Sequence, residues 1–192
     1  MTRLLDRYAA LVCEWNERMN IVSGGDTGRI LSYHAVDSIA VHKLLPTGAC
    51  VADIGSGGGL PGIPLAVVRP DLGLHLVESS RKRGIFLRAV ISDLALTRVS
   101  LHSDRAESLP PLGCDAVVSR LTGPLPDTLR FAARHVRPGG RLLLYKTPAC
   151  GPELSKTAAI AEELDLSPAV AIDVALPDCS ITRRFVIYTR TA

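Results

Sequence analysis

Apolar residues recur every three or four positions at the start of the chain. Leu4, Leu5, Tyr8, Leu11, Val12, Trp15 and Met19 fall on one side, with Asp6, Arg7, Glu14, Glu17 and Arg18 mostly between them. That spacing predicts an amphipathic helix over the first twenty residues. Ser23, Gly24, Gly25 and Gly28 then predict a turn-rich connection. A second helix is expected from about Arg29 to Leu45, stopping before Pro46, which disfavours helical geometry in the residue ahead of it. From Cys50 the rhythm changes to short β-prone runs alternating with longer helical ones. Strands are expected at Cys50 to Ile54, Leu74 to Glu78, Val99 to His102, Cys114 to Ser119 and Arg141 to Tyr145. Helices are expected at Leu60 to Val68, from Arg81 through Leu96, at Leu125 to Val136 and at Gly151 to Leu166, with a terminal strand pair at Ala169 to Ala175 and Arg184 to Thr189. Such alternation predicts an α/β fold, a mostly parallel seven-stranded sheet with helices on both faces. A boundary near Pro46 and Gly48 divides residues 1–46, an N-terminal helical extension, from residues 47–192, a single compact body.

Composition narrows the class. With 192 residues, 47% of them hydrophobic, the chain can bury a sizeable core, and no apolar run approaches the roughly 20 residues that span a bilayer. The formal net charge of +3 does not by itself announce a nucleic-acid binder, so the distribution of charge matters more than its total. Cys13, Cys50, Cys114, Cys150 and Cys179 are an odd number without a close pair in sequence, which excludes a Cys-x-x-Cys motif and points to reduced thiols in a cytoplasmic protein. The histidines at 34, 42, 75, 102 and 135 are scattered, so no metal is expected.

The chemistry concentrates in Asp53-Ile54-Gly55-Ser56-Gly57-Gly58-Gly59-Leu60, a glycine turn between a strand and a helix. Glycines there let backbone amides approach a ligand that bulkier residues would exclude. Leu60 stands where the third glycine of a dinucleotide fingerprint would fall, and Asp53 precedes the first glycine by two residues, a pattern favouring S-adenosylmethionine over NAD. Glu78, at the end of the second expected strand, has the spacing of a carboxylate that hydrogen-bonds a ribose diol. The polar loop Ser103 to Glu107 lies where this fold type closes over adenine.

Methyl transfer from a sulfonium is an in-line displacement, which chiefly requires that nucleophile and methyl be held in line. The chain has no Asn-Pro-Pro-Tyr or Asp-Pro-Pro-Tyr segment and no Pro-Cys pair, absences that fit a nucleophile with a free lone pair such as guanine N7. His34, Asp37 and Ser38 fall within one helical turn. Arg81, Lys82 and Arg83, Arg120 and Lys146 each follow an expected strand, so these cations surround one mouth, where Arg183 and Arg184 can join them against phosphates.

Together these segments resemble the ribosomal small-subunit methyltransferase G family, RsmG or GidB, over nearly the whole chain. Trp15-Asn16 with Asn20, His34 with Asp37-Ser38, Asp53 to Pro64, Ser79 with Lys82-Arg83, Arg105-Ala106-Glu107, Ser119-Arg120, Lys146 and Arg183 carry the likeness, and Gly-Leu-Pro-Gly-Ile-Pro is its most specific part. The resemblance implies a cytoplasmic class I, Rossmann-like methyltransferase that modifies N7 of a guanosine in the 530 loop of 16S ribosomal RNA; the expected partner is 16S ribosomal RNA or the 30S subunit, and a monomer without metal is expected. It implies cofactor contacts from Asp53, Gly55, Ser56, Gly57, Gly59, Leu60, Glu78, Ser79, Arg105, Ala106, Glu107 and Arg120. It further implies that His34, Asp37, Arg120, Lys146 and Arg183 face the target nucleotide or its phosphates, with His34, Asp37, Arg120 and Lys146 expected to serve the reaction; from their strand-end placement Arg81, Lys82, Arg83, Lys146, Arg183 and Arg184 are expected to hold RNA. Three positions depart from the family pattern: Tyr33 replaces an arginine, Leu121 an alanine and Thr147 a glycine. A paralogue acting on another RNA or a small molecule, or a non-catalytic RNA-binding module, are the competing readings.

Overall fold

The computed structural model of the protein describes residues 2–120, 123–177 and 181–191. Helix α1, Thr2–Met19, is followed by a short 3-10 turn at Gly24–Arg29, a π-helical stretch at Ile30–Ala35, α2 at Val36–Ile39 and a further 3-10 turn at His42–Leu44. The body then runs β1 (Cys50–Ile54), α3 (Gly62–Val68), β2 (Gly73–Val77), α4 (Arg81–Asp93), β3 (Val99–His102), β4 (Cys114–Ser119), α5 (Leu125–Ala132), β5 (Val136–Lys146), α6 (Gly151–Leu154), α7 (Ala158–Glu163), β6 (Val170–Ala175) and β7 (Thr182–Thr189).

The seven strands form one sheet in the order β3-β2-β1-β4-β5-β7-β6. The first five pair in parallel, and β7 runs antiparallel to both of its neighbours. The order reverses between β1 and β4, so the carboxyl ends of those strands open a crevice in which an α/β sheet binds its ligands. β1 carries buried side chains on both faces, as a central parallel strand must.

The leading helices are packed onto this body. Tyr8, Leu11, Val12, Ile21 and Ile30 share an apolar cluster with Ile63 of α3, Leu76 of β2 and Phe86, Leu87 and Val90 of α4. At roughly 25 cal/mol per Å² of apolar surface, burial of that stripe is what keeps α1 in place. Elsewhere, Leu125, Leu129 and Ala132 of α5 join Val117, Leu142 and Val186 in the sheet.

Four expected elements differ markedly. The expected helix from Arg29 to Leu45 is a succession of short turns of changing pitch, and the Leu125 to Val136 helix ends at Ala132. Strand β5 begins at Val136, ahead of Pro138-Gly139-Gly140, because Val136 pairs with Cys114 and the Gly139 N–H donates to the Arg190 carbonyl at 2.8 Å. The helix expected from Gly151 to Leu166 is two pieces. The Thr157 hydroxyl donates to the Leu154 carbonyl at 2.7 Å, ending the first turn before α7 begins.

Candidate functional site

The glycine turn between β1 and α3 has the backbone that its sequence requires. Gly55, Gly57 and Gly59 lie at φ 75°, 57° and 93°, a region that side chains disfavour. A Cβ on Gly59 would also stand 2.6 Å from Ile63 Cγ1. The turn is tied to β2, where the Val77 carbonyl accepts from the Gly55 and Ser56 amides at 2.9 and 3.1 Å. From the other side, the fully buried Tyr8 hydroxyl donates to the Gly58 carbonyl at 2.6 Å, so α1 braces the loop.

Asp53 sits behind the turn with none of its surface exposed. Its Oδ2 accepts from the Gly62 amide at 3.0 Å, and its Oδ1 has no hydrogen-bond partner among the described residues. Burial pushes this carboxyl up to about 7, with the Gly62 amide pulling the other way. Gly62 must remain a glycine, since a Cβ there would overlap the Leu76 side chain and stand 2.7 Å from Asp53 Oδ2.

Glu78, one residue beyond β2, is buried and held by two amides: Gly57 N–H to Oε2 at 2.8 Å and Ser80 N–H to Oε1 at 2.7 Å. It edges a cleft of about 230 Å³ with Gly55, Ser79, Arg105, Ala106, Glu107 and Phe131. His135, wholly buried, fixes the far wall through its Nε2, 3.0 Å from the Ala106 carbonyl.

Beyond the carboxyl ends of β4 and β5 lies a second cleft of about 400 Å³, lined by Arg120, Tyr145, Lys146, Thr147, Glu153 and Arg183 among others. Asp37, fully buried, is its anchor. Arg183 engages it in a fork, Nε to Oδ1 at 2.6 Å and Nη2 to Oδ2 at 2.9 Å, and Arg120 Nη1 lies 3.1 Å from Oδ2. Two guanidinium groups therefore share one buried carboxylate, which leaves the cluster with a net positive charge. Arg120 Nη2 also lies 2.9 Å from His34 Nδ1. A guanidinium can only donate, so His34 accepts through Nδ1 and carries its proton on Nε2, 3.1 Å from Asp26 Oδ1. Burial lowers the His34 pKa, in keeping with that neutral tautomer. Lys146 donates to the Gly123 carbonyl and to Glu153 Oε2, both at 2.9 Å.

The fold thus brings Arg120, Lys146 and Arg183 to one pocket, with His34 and Asp37 buried behind the two arginines, and Gly55, Glu78, Ser79, Arg105, Ala106 and Glu107 around the other. The irregular pitch of residues 30–39 matters here: it buries His34, Asp37 and Ser38 together, with the Ser38 hydroxyl donating to the His34 carbonyl at 2.6 Å. Not every cation joins them. Arg184 faces the opposite side of β7 from Arg183 and pairs with both oxygens of Asp173 at 2.6 Å. Arg83 lines the cleft of Glu78, whereas Arg81 and Lys82 are exposed on the first turn of α4. Of the three departures, the Tyr33 hydroxyl accepts from Arg183 at 3.2 Å, its ring lies 4.6 Å from the Arg29 guanidinium, and Thr147 lines the second cleft. Leu121 lies outside the described residues, as does Cys179.

Sequence reasoning missed Tyr8, Gly62, His135 and Glu153 as parts of the site. Only Gly62 left a signal, inside the Gly-Leu-Pro-Gly-Ile-Pro run; the others act through partners distant in the chain. The cysteines and histidines also change their meaning on folding, because Cys50, Cys114 and His75 converge.

Comparison with known proteins agrees with this architecture. The profile of the family described as rRNA small subunit methyltransferase G (GidB) matches residues 1–171. A protein named ribosomal RNA small subunit methyltransferase G from Sorangium cellulosum is 42% identical over 161 residues, 80% of this chain and 67% of that one. Its namesake from Aromatoleum aromaticum is 32% identical over 191 residues, covering 97% of this chain and 88% of its own. The solved methyltransferase of Pyrococcus furiosus superposes with a TM-score of 0.60 at 18% identity, over 80% of this chain and 81% of that one, a likeness of fold alone. The fold is that of the class I methyltransferases, and the chain belongs to the rRNA small subunit methyltransferase G family.

Proposed function

We propose that the chain methylates N7 of a guanosine in the 530 loop of 16S ribosomal RNA, with S-adenosylmethionine as donor. The observation that carries the reading is the juxtaposition of a glycine cradle with a cationic pocket at the same sheet edge. The donor fits the first of these: positive φ at three glycines, a backbone at Gly59 that admits no Cβ, an unpartnered buried carboxyl oxygen on Asp53 and an acid at the end of β2. When bound, S-adenosylmethionine supplies a methyl group activated by a positively charged sulfur.

The remaining work belongs to the protein. Asp53, Gly55, Ser56, Gly57, Gly59 and Leu60 form the cradle, Glu78 and Ser79 take the ribose side, and Arg105, Ala106 and Glu107 the base. Arg120, fixed by Asp37 and the His34 carbonyl, lines the second cleft. With Lys146 and Arg183 it offers cationic donors to a nucleotide drawn out of its stack. Guanine N7 has a free lone pair, so no group must take a proton from the nucleophile. The protein's contribution is alignment and the exclusion of water.

The test is to incubate the purified protein with methyl-labelled S-adenosylmethionine and 30S subunits from a strain lacking the family enzyme, then map N7-methylguanosine by borohydride and aniline cleavage. Cleavage in the 530 loop is expected. Label elsewhere, or none despite tight cofactor binding, would transfer the reading to another RNA and implicate Tyr33 and Thr147.

A further inference from the structure

A second group of chemically active side chains lies across the sheet, apart from both clefts. The order β4-β1-β2-β3 places four strands side by side, and each contributes one residue: Cys114, Cys50, His75 and His102. The two sulfurs are 3.3 Å apart, and a ring nitrogen of His75 lies with them so that all three ligand atoms are within 4.8 Å of one another. His75 Nδ1 lies 3.0 Å from His102 Nε2. Two thiols in contact would be ordinary core packing, since a free cysteine behaves as a small apolar residue. An imidazole beside them, itself fixed by a second imidazole, is not what apolar packing selects.

We propose that Cys50, Cys114 and His75 bind a soft d10 metal ion, Zn²⁺ by preference, with His102 as the partner that orients His75. Thiolate and imidazole donors suit zinc, and a tetrahedral zinc with bonds of about 2.3 Å to sulfur holds two sulfurs about 3.8 Å apart. The sulfurs would have to separate by only about half an ångström from where they stand, a motion available to side-chain torsions. Metal-bound histidine ordinarily has its other ring nitrogen hydrogen-bonded, which is the position His102 occupies. Entry is feasible because Cys50, His75 and His102 are each only half-buried, while Cys114 is closed off. Three protein ligands leave a fourth position for water.

Such an ion would staple three adjacent strands. Leu109 and Leu112, in the segment joining β3 to β4, pack against the apolar cluster that includes Cys114 and borders Cys50. That segment also carries Ala106 and Glu107 of the first cleft, so the metal would stiffen a wall of the cofactor site without touching it. Binding displaces two thiol protons, which leave to solvent as the metal–sulfur bonds form; no oxidant or reductant is involved.

The test uses the full chain, reduced and stripped with a chelator. Cobalt(II) is titrated as a coloured probe, and zinc is then measured by competition with a chromophoric chelator. One equivalent of cobalt with a sulfur-to-metal charge-transfer band is expected, displaced by zinc, with a zinc-dependent rise in the thermal midpoint. Cys50→Ala should abolish the band and Cys13→Ala should leave it intact. His102→Gln, which empties no core position, should weaken zinc roughly 10- to 100-fold. A variant that melts before titration is excluded by recording its thermal transition first, and His102→Gln then decides. The proposal is overturned if the stripped chain takes up no metal, if the band survives in Cys50→Ala, or if His102→Gln binds zinc as tightly as the parent. It is also overturned if air converts Cys50 and Cys114 to a disulfide in a chain whose reduced form binds no metal. None of these readouts depends on methyl transfer.

Discussion

Replacing Asp53 by asparagine removes the titration of one fully buried carboxyl group while leaving an oxygen to accept from the Gly62 amide at 3.0 Å. Burial raises this group from an ordinary carboxylate value to about 7. A rise of roughly 3 units at about 1.4 kcal/mol per unit makes the ionised form a burden on the folded state of about 4 kcal/mol. The direction follows from linkage. The folded state holds this proton more tightly than the unfolded chain, so the associated stability is fully present below about pH 4 and is lost as pH rises to about 7. Urea unfolding of the parent and Asp53→Asn at a series of pH values should therefore give a difference curve that moves in favour of the variant by about 1 kcal/mol per pH unit through that window and then levels. The histidines His34, His75 and His135, whose pKa values are lowered by burial, titrate in both proteins and cancel in the difference. A difference curve flat from about pH 4 to 8 would refute the reasoning. If S-adenosylmethionine seats beside Asp53 as proposed, its positive charge favours the ionised carboxylate, so the parent's affinity for it should fall as pH drops below about 7, and the variant's should not.

Four further outcomes are expected. Gly62→Ala should cost about 1 to 3 kcal/mol in urea unfolding and weaken the cofactor in a calorimetric titration, because its methyl group collides with Leu76 and crowds Asp53. Asp37→Ala should destabilise by about 3 to 5 kcal/mol by leaving Arg120 and Arg183 facing one another without their carboxylate, and methyl transfer should be lost with it. Tyr8→Phe should cost about 1 kcal/mol and raise the dissociation constant of the cofactor, since the Gly58 carbonyl loses its donor. Lys82→Ala, on an exposed residue, should leave stability unchanged and reduce the salt dependence of RNA binding by about one phosphate contact, read from filter binding at several salt concentrations.

What the sequence conveys depends on how local each signal is. Strands β1, β3 and β4 and the glycine turn are read correctly because apolar runs and glycines act within a few residues. Irregularities set by distant partners are hidden. Pro138, Gly139 and Gly140 look like a break, yet β5 passes through them because Arg190 and Cys114 supply partners from elsewhere in the chain. The helix expected from Arg29 to Leu45 changes pitch where the Tyr145 hydroxyl donates to the Ser38 carbonyl at 2.6 Å and Arg183 seizes Asp37. In the site, motif residues were identifiable by type, but the braces were not: nothing near Tyr8 announces Gly58, and nothing near His135 announces Ala106. Cysteines and histidines that look scattered along the chain form a row once four strands align.

The ion pair between Asp37 and Arg183 joins residues 146 positions apart. The cofactor cradle, by contrast, is closed by contacts such as Gly57 to Glu78, only 21 positions apart. During synthesis at about 5 to 20 residues per second, the segments of the cradle emerge early, whereas the second cleft waits for the penultimate stretch of the chain. If the second cleft seats the acceptor as proposed, a nascent or prematurely ended polypeptide would have the cradle's segments without that seat, and the capacity to modify would arrive only with β7.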